Sequence, residues 1–538
     1  MSIETYHPNY SAFEYKWRRI RDVIAGEDAV KEAGEIYLPM LPEQTTKEFE
    51  AYKFRASWLS ATDRTRAGLT GQIFRKDPEF NAPDSDSMTA LNNDTDLDGL
   101  TIYDYSRQVV EEVLGVGRGG TLIDWDPVEE RPFFTYYPAE SIRDWRKARV
   151  NGRTVLSYLA LDEDFSVSAH EQQSVSSEVG MNSKELSEQD KEQSTGKSIR
   201  VLRLITGNTG EMNEDGDLES GEPFQAYMVE IWMEKSESGK PAGNAKTHKS
   251  EWILVSTAIP EKRGVPLDFV PFVFHGPTTN GSNIHPEKAP LEDLISLNLE
   301  HYATSADFKH GLHFAGLPTA WVAGFDKNTV LRVGGATAWV SEDPQARAGY
   351  LEFQGQGLTP LANYLDTLVR QMAVIGARLL ENQKREAETA ESMTIRQGGE
   401  SAVLQTITNA VGQQLTRAVQ IAFWWAAAEV DLDPMNIDDE LVNFTLNSDF
   451  VSGKMQSQDV VNLTNAWIAG GISRQTLTHN LEQGEILPPG VTPEDEDALI
   501  QLEAPKMEEE ERTNPEANEN EQNNEDGEGS EDGSGRGE

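Results

Sequence analysis

Residues 358–430 constrain this chain more than any other stretch. The segment LANYLDTLVRQMAVIGARLLE sets Leu361, Leu365, Leu368, Met372, Ile375 and Leu379 at steps of three and four, one apolar stripe of an amphipathic helix. The stripe ends at Asn382, Gln383, Lys384, Arg385 and Glu386, a polar run without a long apolar side chain. Helical character resumes at Ser392 and continues to about Val430, interrupted in the pattern only by Gly398, Gly399 and Gly412. At about 1.5 Å per residue, this second helix spans roughly 57 Å. A helix that long needs neighbours, either within a large fold or from other copies of the chain.

At 538 residues the chain is long enough for several cores. Its formal net charge of −44 disfavours nonspecific binding to the outside of nucleic acid. The absence of Cys excludes disulfide staples and thiolate metal sites and suits a reducing cytoplasm. The N-terminus shows no basic-then-apolar signal segment. The most apolar run, 421–430, is far shorter than the roughly 20 residues a bilayer crossing needs. The expectation is a soluble, intracellular, acidic protein with no membrane partner.

In chain order, residues 10–25 read as a helix with Trp17 and Ile20 among basic residues. Residues 45–69 repeat that pattern, with Phe49, Tyr52, Ala56 and Leu59 on one face and Lys53, Arg55, Arg64 and Arg66 on the other. These cations read as helix faces paired with nearby carboxylates. Residues 81–98 are rich in Asp, Asn and Ser and read as a loop. From Thr121 the period changes to short β-branched and aromatic runs, from LIDW to FVPFVFHG, the pattern of an antiparallel meander. Within it, 162–197 is too polar to bury a core and reads as a mobile insertion.

A helix follows Pro290, then short Gly-rich β-like pieces lead into the organising helix. The β unit is thus an excursion between two helices that pack side by side. Beyond the long helix, LVNFTLNSDF reads as a strand, and SQDVVNLTNAWIAGGI and SRQTLTHNLEQGEIL as two short helices. From Glu503 onward the chain holds 14 acids and three bases, so a net of −11 out of −44 lies in an acidic tail expected to be disordered.

Signals for catalysis are weak. Residues Gly115 to Gly120 satisfy GxGxxG but follow a helix and precede a strand, whereas a dinucleotide site needs the opposite order. The spacing therefore predicts a Gly-rich helix-to-strand turn. His310 and His313 share a helix face, with His301, His275 and His285 nearby in sequence, but no third ligand set accompanies them. No catalytic residue, metal or cofactor is expected. What remains is mechanical. If copies set their 361–381 helices around an axis, the 382–390 loops point inward, and an acidic and neutral wall repels phosphates. Lys384 and Arg385 then touch the backbone of passing DNA without reading its sequence.

Four stretches carry a family resemblance: YKFRASWLSATDRTRAGLTGQIFRKDP (52–78), YYPAESIRDWR (136–146), PFVFHG (271–276) and GARLLENQKREAETAESMTIRQGGESAVL (376–404). With the order of elements, they make the chain resemble portal proteins of tailed double-stranded-DNA bacteriophages, in particular a portal-like family once labelled a domain of unknown function. The resemblance implies an α+β portal fold. Residues 1–290 form the wing, 291–313 and 358–381 the stem helices, and 314–357 the clip between them. Residues 382–391 form the tunnel loop, 392–454 the long wing helix and a strand, 455–502 the crown and 503–538 the tail. The insertion and the tail have no counterpart in the family pattern. The resemblance also implies a non-enzymatic ring, usually a homododecamer, at one capsid vertex of the virion. Its partners are double-stranded DNA, the terminase large subunit, the major capsid or scaffolding protein, and a head-completion or tail adaptor. Asn382, Gln383, Lys384, Arg385 and Glu386 are its candidate channel loop, and Lys309, Arg370 and Arg378 its candidate channel-facing stem residues. The rival readings are another head-to-tail connector or tail-tube ring and a metal-dependent hydrolase built on His275, His301, His310 and His313.

Overall fold

Helix α1 (Pro8–Ala25) begins with Pro at its first turn and the His7 ring accepting the Asn9 amide, and it ends at Gly26, whose φ is 101°. Its buried stripe is Tyr10, Trp17, Ile20 and Val23. In this computed structural model the described residues are 3–150, 153–164, 194–208, 223–235, 251–278, 284–316, 319–325, 339–351, 357–376, 390–429, 432–448, 450, 457–483, 486, 496, 498–500 and 502; for 390–402 only the helical backbone is described. A short helix α2 (Glu27–Glu32) follows.

Where the sequence predicts one helix over 45–69, the structure has two, α3 (Thr46–Arg55) and α4 (Ala61–Ile73). Thr45 and Glu48 form a capping box on α3. The break between the helices is set from a distant helix, α7 (Glu292–Gly316). Ser305 Oγ accepts the Ser57 amide at 3.1 Å and donates to the Ser57 carbonyl at 2.9 Å. Asn298 Oδ1 accepts the Thr62 amide at 3.2 Å, and its Nδ2 donates to the Leu59 carbonyl at 2.8 Å. These bonds replace the helical ones that a continuous helix would make.

The expected loop at 81–98 also needs correction. It contains helix α5 (Asp86–Asn93), capped by Ser85 and anchored by buried Met88 and Leu91. Just before it, strand β1 (Glu79–Asn81) pairs antiparallel with β14 (Asn443–Thr445), so the strand read in LVNFTLNSDF closes back onto the N-terminal region.

Helix α6 (Ile102–Gly115), capped by Thr101, is buried along most of its length. Gly117, at φ 77°, turns the chain into strand β2 (Gly119–Asp126), the helix-to-strand turn that the GxGxxG order predicts. A Cβ on Gly117 would meet the Ala289 Cα at 3.0 Å, so both conformation and space favour glycine there. The expected single meander is two open antiparallel sheets. Strand β2 lies between β3 (Arg131–Pro138) and β11 (Phe272–His275). Strands β4 (Ile142–Val150), β5 (Arg153–Asp164), β6 (Ser194–Asn208), β7 (Pro223–Lys235) and β8 (Glu251–Ala258) form the meander proper, and a small hairpin of β9 (Glu261–Lys262) and β10 (Val265–Pro266) follows it. Strands β5 and β6 extend into both ends of the expected 162–197 insertion, and 165–193 lies outside the described residues. The fold is thus α+β, with no closed barrel among the described residues.

After α7 come a two-stranded antiparallel sheet, β12 (Thr319–Ala323) with β13 (Arg347–Leu351), and helix α8 (Leu358–Ile375). Helix α9 (Ala390–Ala426) runs through Gly398, Gly399 and Gly412 without a break. Its 37 residues amount to roughly 55 Å. From Leu404 to Ala422 its buried face packs on α6, β2, β3 and β11. Gln414 fixes the register by pairing with the backbone of Gly276, at 3.0 and 3.1 Å. One large core, including Trp17, Tyr105, Phe134, Trp145 and Trp424, runs through these elements.

Residues beyond Phe450 form a second compact unit. There α10 (Ser457–Ile468) packs on α11 (Arg474–Gln483), whose first turn is capped by Ser473. Among the described residues no helix is long and apolar enough to cross a membrane.

Candidate functional site

The helix pair α7–α8 is where the sequence reading concentrates function. Its partners run antiparallel: Leu358 lies against Gly311, the Tyr364 hydroxyl bonds Glu300, and Thr367 to Ile375 face Asp293 to Leu297. The first half of α7 belongs to the core. Leu294, Ile295, Asn298 and Tyr302 are buried, and Tyr52 donates to Asp307 at 2.6 Å. On the other side Lys16 and Arg19 of α1 hold Glu292, at 3.2 and 3.4 Å. The α8 stripe buries Met372 against Leu294, Leu291 and Ala61, and Leu368 is buried too, while Val374 and Ile375 stay open to solvent. Gly376, at φ 149°, ends the helix earlier than the expected 381.

Beyond Asp307 the pair leaves the core. Leu312 and Phe314 on α7, and Trp321, Val340 and Tyr350 at the β12–β13 tip, are all at least 45 % exposed. This is a projecting two-helix arm with a small sheet at its end and uncovered apolar side chains along it. Lys309 on the arm and Arg370 on α8 are both exposed, and neither is in an ion pair among the described residues. The structure does not bring them together. Arg370 sits level with Asp293 and Leu297, some thirteen residues or roughly 20 Å of helix from Lys309. Arg378 and the run Asn382, Gln383, Lys384, Arg385 and Glu386 lie outside the described residues.

Most basic residues of the N-terminal helices pair with carboxylates, but Arg55 and Arg64 are in no ion pair among the described residues. Arg21 bridges Glu112 of α6 and Glu140, tying α1 to the β3–β4 connection. Burial pushes the Glu112 carboxyl up while the Arg21 guanidinium pulls it down, and burial wins. Arg66 holds Asp63 and Glu111, both at 2.9 Å.

The histidines do not form one centre. His275 is buried in β11, 2.6 Å from the Thr121 hydroxyl, and burial pushes its ring down to about 3. His310 packs edge-on against Tyr52 and Phe314, and His313 against Phe314. Among the described residues no group of three or more His, Cys, Asp or Glu side chains is placed to hold a metal.

One constellation was not legible in the sequence. Arg118, in the Gly-rich turn, is 2 % exposed and packs its guanidinium on Trp145 (4.2 Å) and Phe274 (5.0 Å). His7 stacks on Trp145 at 4.2 Å, and the Trp145 ring nitrogen donates to His285 at 3.2 Å. Both histidines are held below their usual range, chiefly by burial, with the Arg118 charge adding to it.

Residues 290–426, which run from the start of α7 to the end of α9, match the family described as "Domain of unknown function (DUF4055)". That is 137 of the 538 residues. No curated protein matches the chain. Among solved structures, a chain of the "Neck of empty GTA particle computed with C6 symmetry" is similar at 11 % identity and a TM-score of 0.34, covering 82 % of this chain and 90 % of its own. A chain of the "Virion of native gene transfer agent (GTA) particle" is similar at 10 % identity and a TM-score of 0.34, covering 86 % and 99 %. A chain of the "Neck of native GTA particle computed with C12 symmetry" is similar at 10 % identity and a TM-score of 0.32, covering 80 % and 90 %. These likenesses are distant, and the functional reading stands on the geometry of this chain.

Proposed function

We propose that this chain is the portal subunit of a tailed-phage-like particle. It forms a homo-oligomeric ring, a dodecamer, at one capsid vertex of the virion. Double-stranded DNA passes through the axial channel, and the ring docks a terminase large subunit during packaging and a head-completion or tail adaptor afterwards. It contacts the capsid or scaffolding protein around its rim. The protein does no covalent chemistry in this role.

The observation that carries the reading is the projecting arm. Antiparallel α7 and α8 leave the core together and carry a small antiparallel sheet between them. Apolar side chains on that arm stay open to solvent: Val340 is 81 % exposed, Tyr350 55 % and Phe314 52 %. Copies set side by side around an axis would cover these faces with one another. Helix α9 is anchored to the core from Leu404 to Ala422 and is long enough to serve as a strut in such a ring. An acidic chain suits a channel from which DNA must slide freely, because phosphate contacts are the dominant source of nonspecific affinity.

The reading is tested by polar substitution at the tip. Val340→Ser with Tyr350→Thr removes exposed apolar surface, so the subunit keeps its fold. The expected result is a folded protein whose native mass shifts from a ring to smaller species. An unchanged oligomer, or a wild type that is monomeric from the start, would overturn the assignment.

A further inference from the structure

A cavity of about 750 Å³ lies between strands β4 and β5, strand β11 and helix α9. Among the described residues its charged lining is unbalanced: Arg118, Lys147, Arg153 and Arg417 against Glu287 and Asp433. Asp433 and Arg153 offset each other as an ion pair. Glu287 accepts the Thr278 hydroxyl at 2.8 Å, and Asp433 accepts the Met435 amide at 2.9 Å and lies 3.6 Å from Arg153. Arg417 donates to the Pro434 carbonyl and meets no carboxylate in a described ion pair. The chain has a net charge of −44, yet it gathers four cations here.

Arg118 is the deepest of them. Its Nη1 donates to the Ile284 carbonyl at 2.9 Å, while Nε and Nη2 have no hydrogen-bond partner among the described residues. Burial pushes its guanidinium down to about 9. A buried cation left without a counter-charge is costly, and such groups are ordinarily paired. Gln413 and Asn436 add neutral polar groups to the lining, and Phe269 and Phe272 add apolar surface.

We propose that this cavity is an anion site that takes a phosphate group, free or carried by a small organic molecule. Arg118 and Arg417 form its cationic floor and Lys147 its exposed rim. The volume exceeds what a single inorganic phosphate fills, and the phenylalanine wall suits an attached organic portion.

The test uses the purified full-length assembly, melted in inorganic phosphate or in a nucleoside monophosphate, with ionic strength held constant by chloride. The expected result is a rise in melting temperature that saturates with phosphate and has no counterpart in chloride. Lys147→Gln should raise the half-saturating phosphate concentration about fivefold, the effect of removing one exposed charge. Arg118→Met should abolish the saturable response. If that variant does not fold, the wild-type titration and Lys147→Gln decide the matter. A stronger response to the monophosphate than to phosphate assigns the organic ligand, and an equal response assigns free phosphate. A rise that only follows ionic strength, or a Lys147→Gln titration identical to wild type, overturns the proposal.

Discussion

Asn298 is the side chain whose removal tests the packing account most sharply. It is fully buried in α7, yet its amide serves the start of α4, where Ser60 makes no capping bond of its own. Its Oδ1 accepts the Thr62 amide at 3.2 Å and the Thr62 hydroxyl at 3.0 Å, and its Nδ2 donates to the Leu59 carbonyl at 2.8 Å. Asn298→Ala removes all three bonds and leaves the buried Thr62 amide without its acceptor, while the Leu59 carbonyl keeps the Ala61 amide at 2.7 Å. At about 1 kcal/mol per bond, the loss is about 3 kcal/mol. The melting temperature should fall by several degrees. Asn298→Asp keeps the acceptor toward Thr62, loses the donor toward Leu59 and buries a carboxylate. Burial raises the pKa of that carboxyl in the folded state, so the added destabilisation is full at neutral pH and eases as pH falls through it. Compared with wild type at each pH, the Asp variant should be worse than Ala at pH 7 and recover toward acid. The measurement is calorimetric or fluorescence-monitored unfolding of each variant. An Ala variant within about 0.5 kcal/mol of wild type would refute the claim that α7 sets the α3–α4 break.

Other expectations follow from single sites. His275 is neutral in the folded protein, held at about 3 by burial, against roughly 6.5 unfolded. Its contribution is therefore full above the unfolded value and is lost as pH falls from there toward 3, by about 1.4 kcal/mol per pH unit; His275→Gln should flatten the acid side of a stability–pH curve. Gly120→Ala would place a Cβ 2.1 Å from the Phe272 ring, so it should cost about 1–3 kcal/mol through overpacking between β2 and β11, read by denaturant unfolding. Lys384→Ala with Arg385→Ala, in the proposed channel loop, should change stability by about 0.5 kcal/mol or less. Assembled rings should form in normal numbers while packaged genome falls; normal genome content would show that these cations do no necessary work on DNA.

What the sequence makes legible is local. The stripe from Leu361 to Met372 declares its helix because the apolar spacing itself creates the buried face, and Leu368 and Met372 are buried accordingly. The Gly-rich run after α6 reads correctly as a turn because a phosphate cradle needs the opposite order of strand and helix. Features decided at long range are not legible. The α3–α4 break depends on Ser305 and Asn298, more than 230 residues away along the chain. Helix α5 hides in an Asp-, Asn- and Ser-rich stretch because its stability comes from the Ser85 cap and the burial of Leu91. The meander splits into two sheets because β11 pairs with β2 across some 150 residues. Arg118 gives no signal at all, since nothing in a Gly-rich turn announces that its guanidinium will sit on Trp145. The proposed channel loop is a different matter: it rests on composition and on the family resemblance.

The most direct test of the central claim is electron microscopy of the purified full-length protein, with subunits counted by native mass. The account predicts a closed ring, twelve subunits around an axial hole, with the α7–α8 arms side by side about the axis and the β12–β13 tips at one end. A stable monomer at micromolar concentration across all salt conditions, or an oligomer without an axial channel, would contradict it.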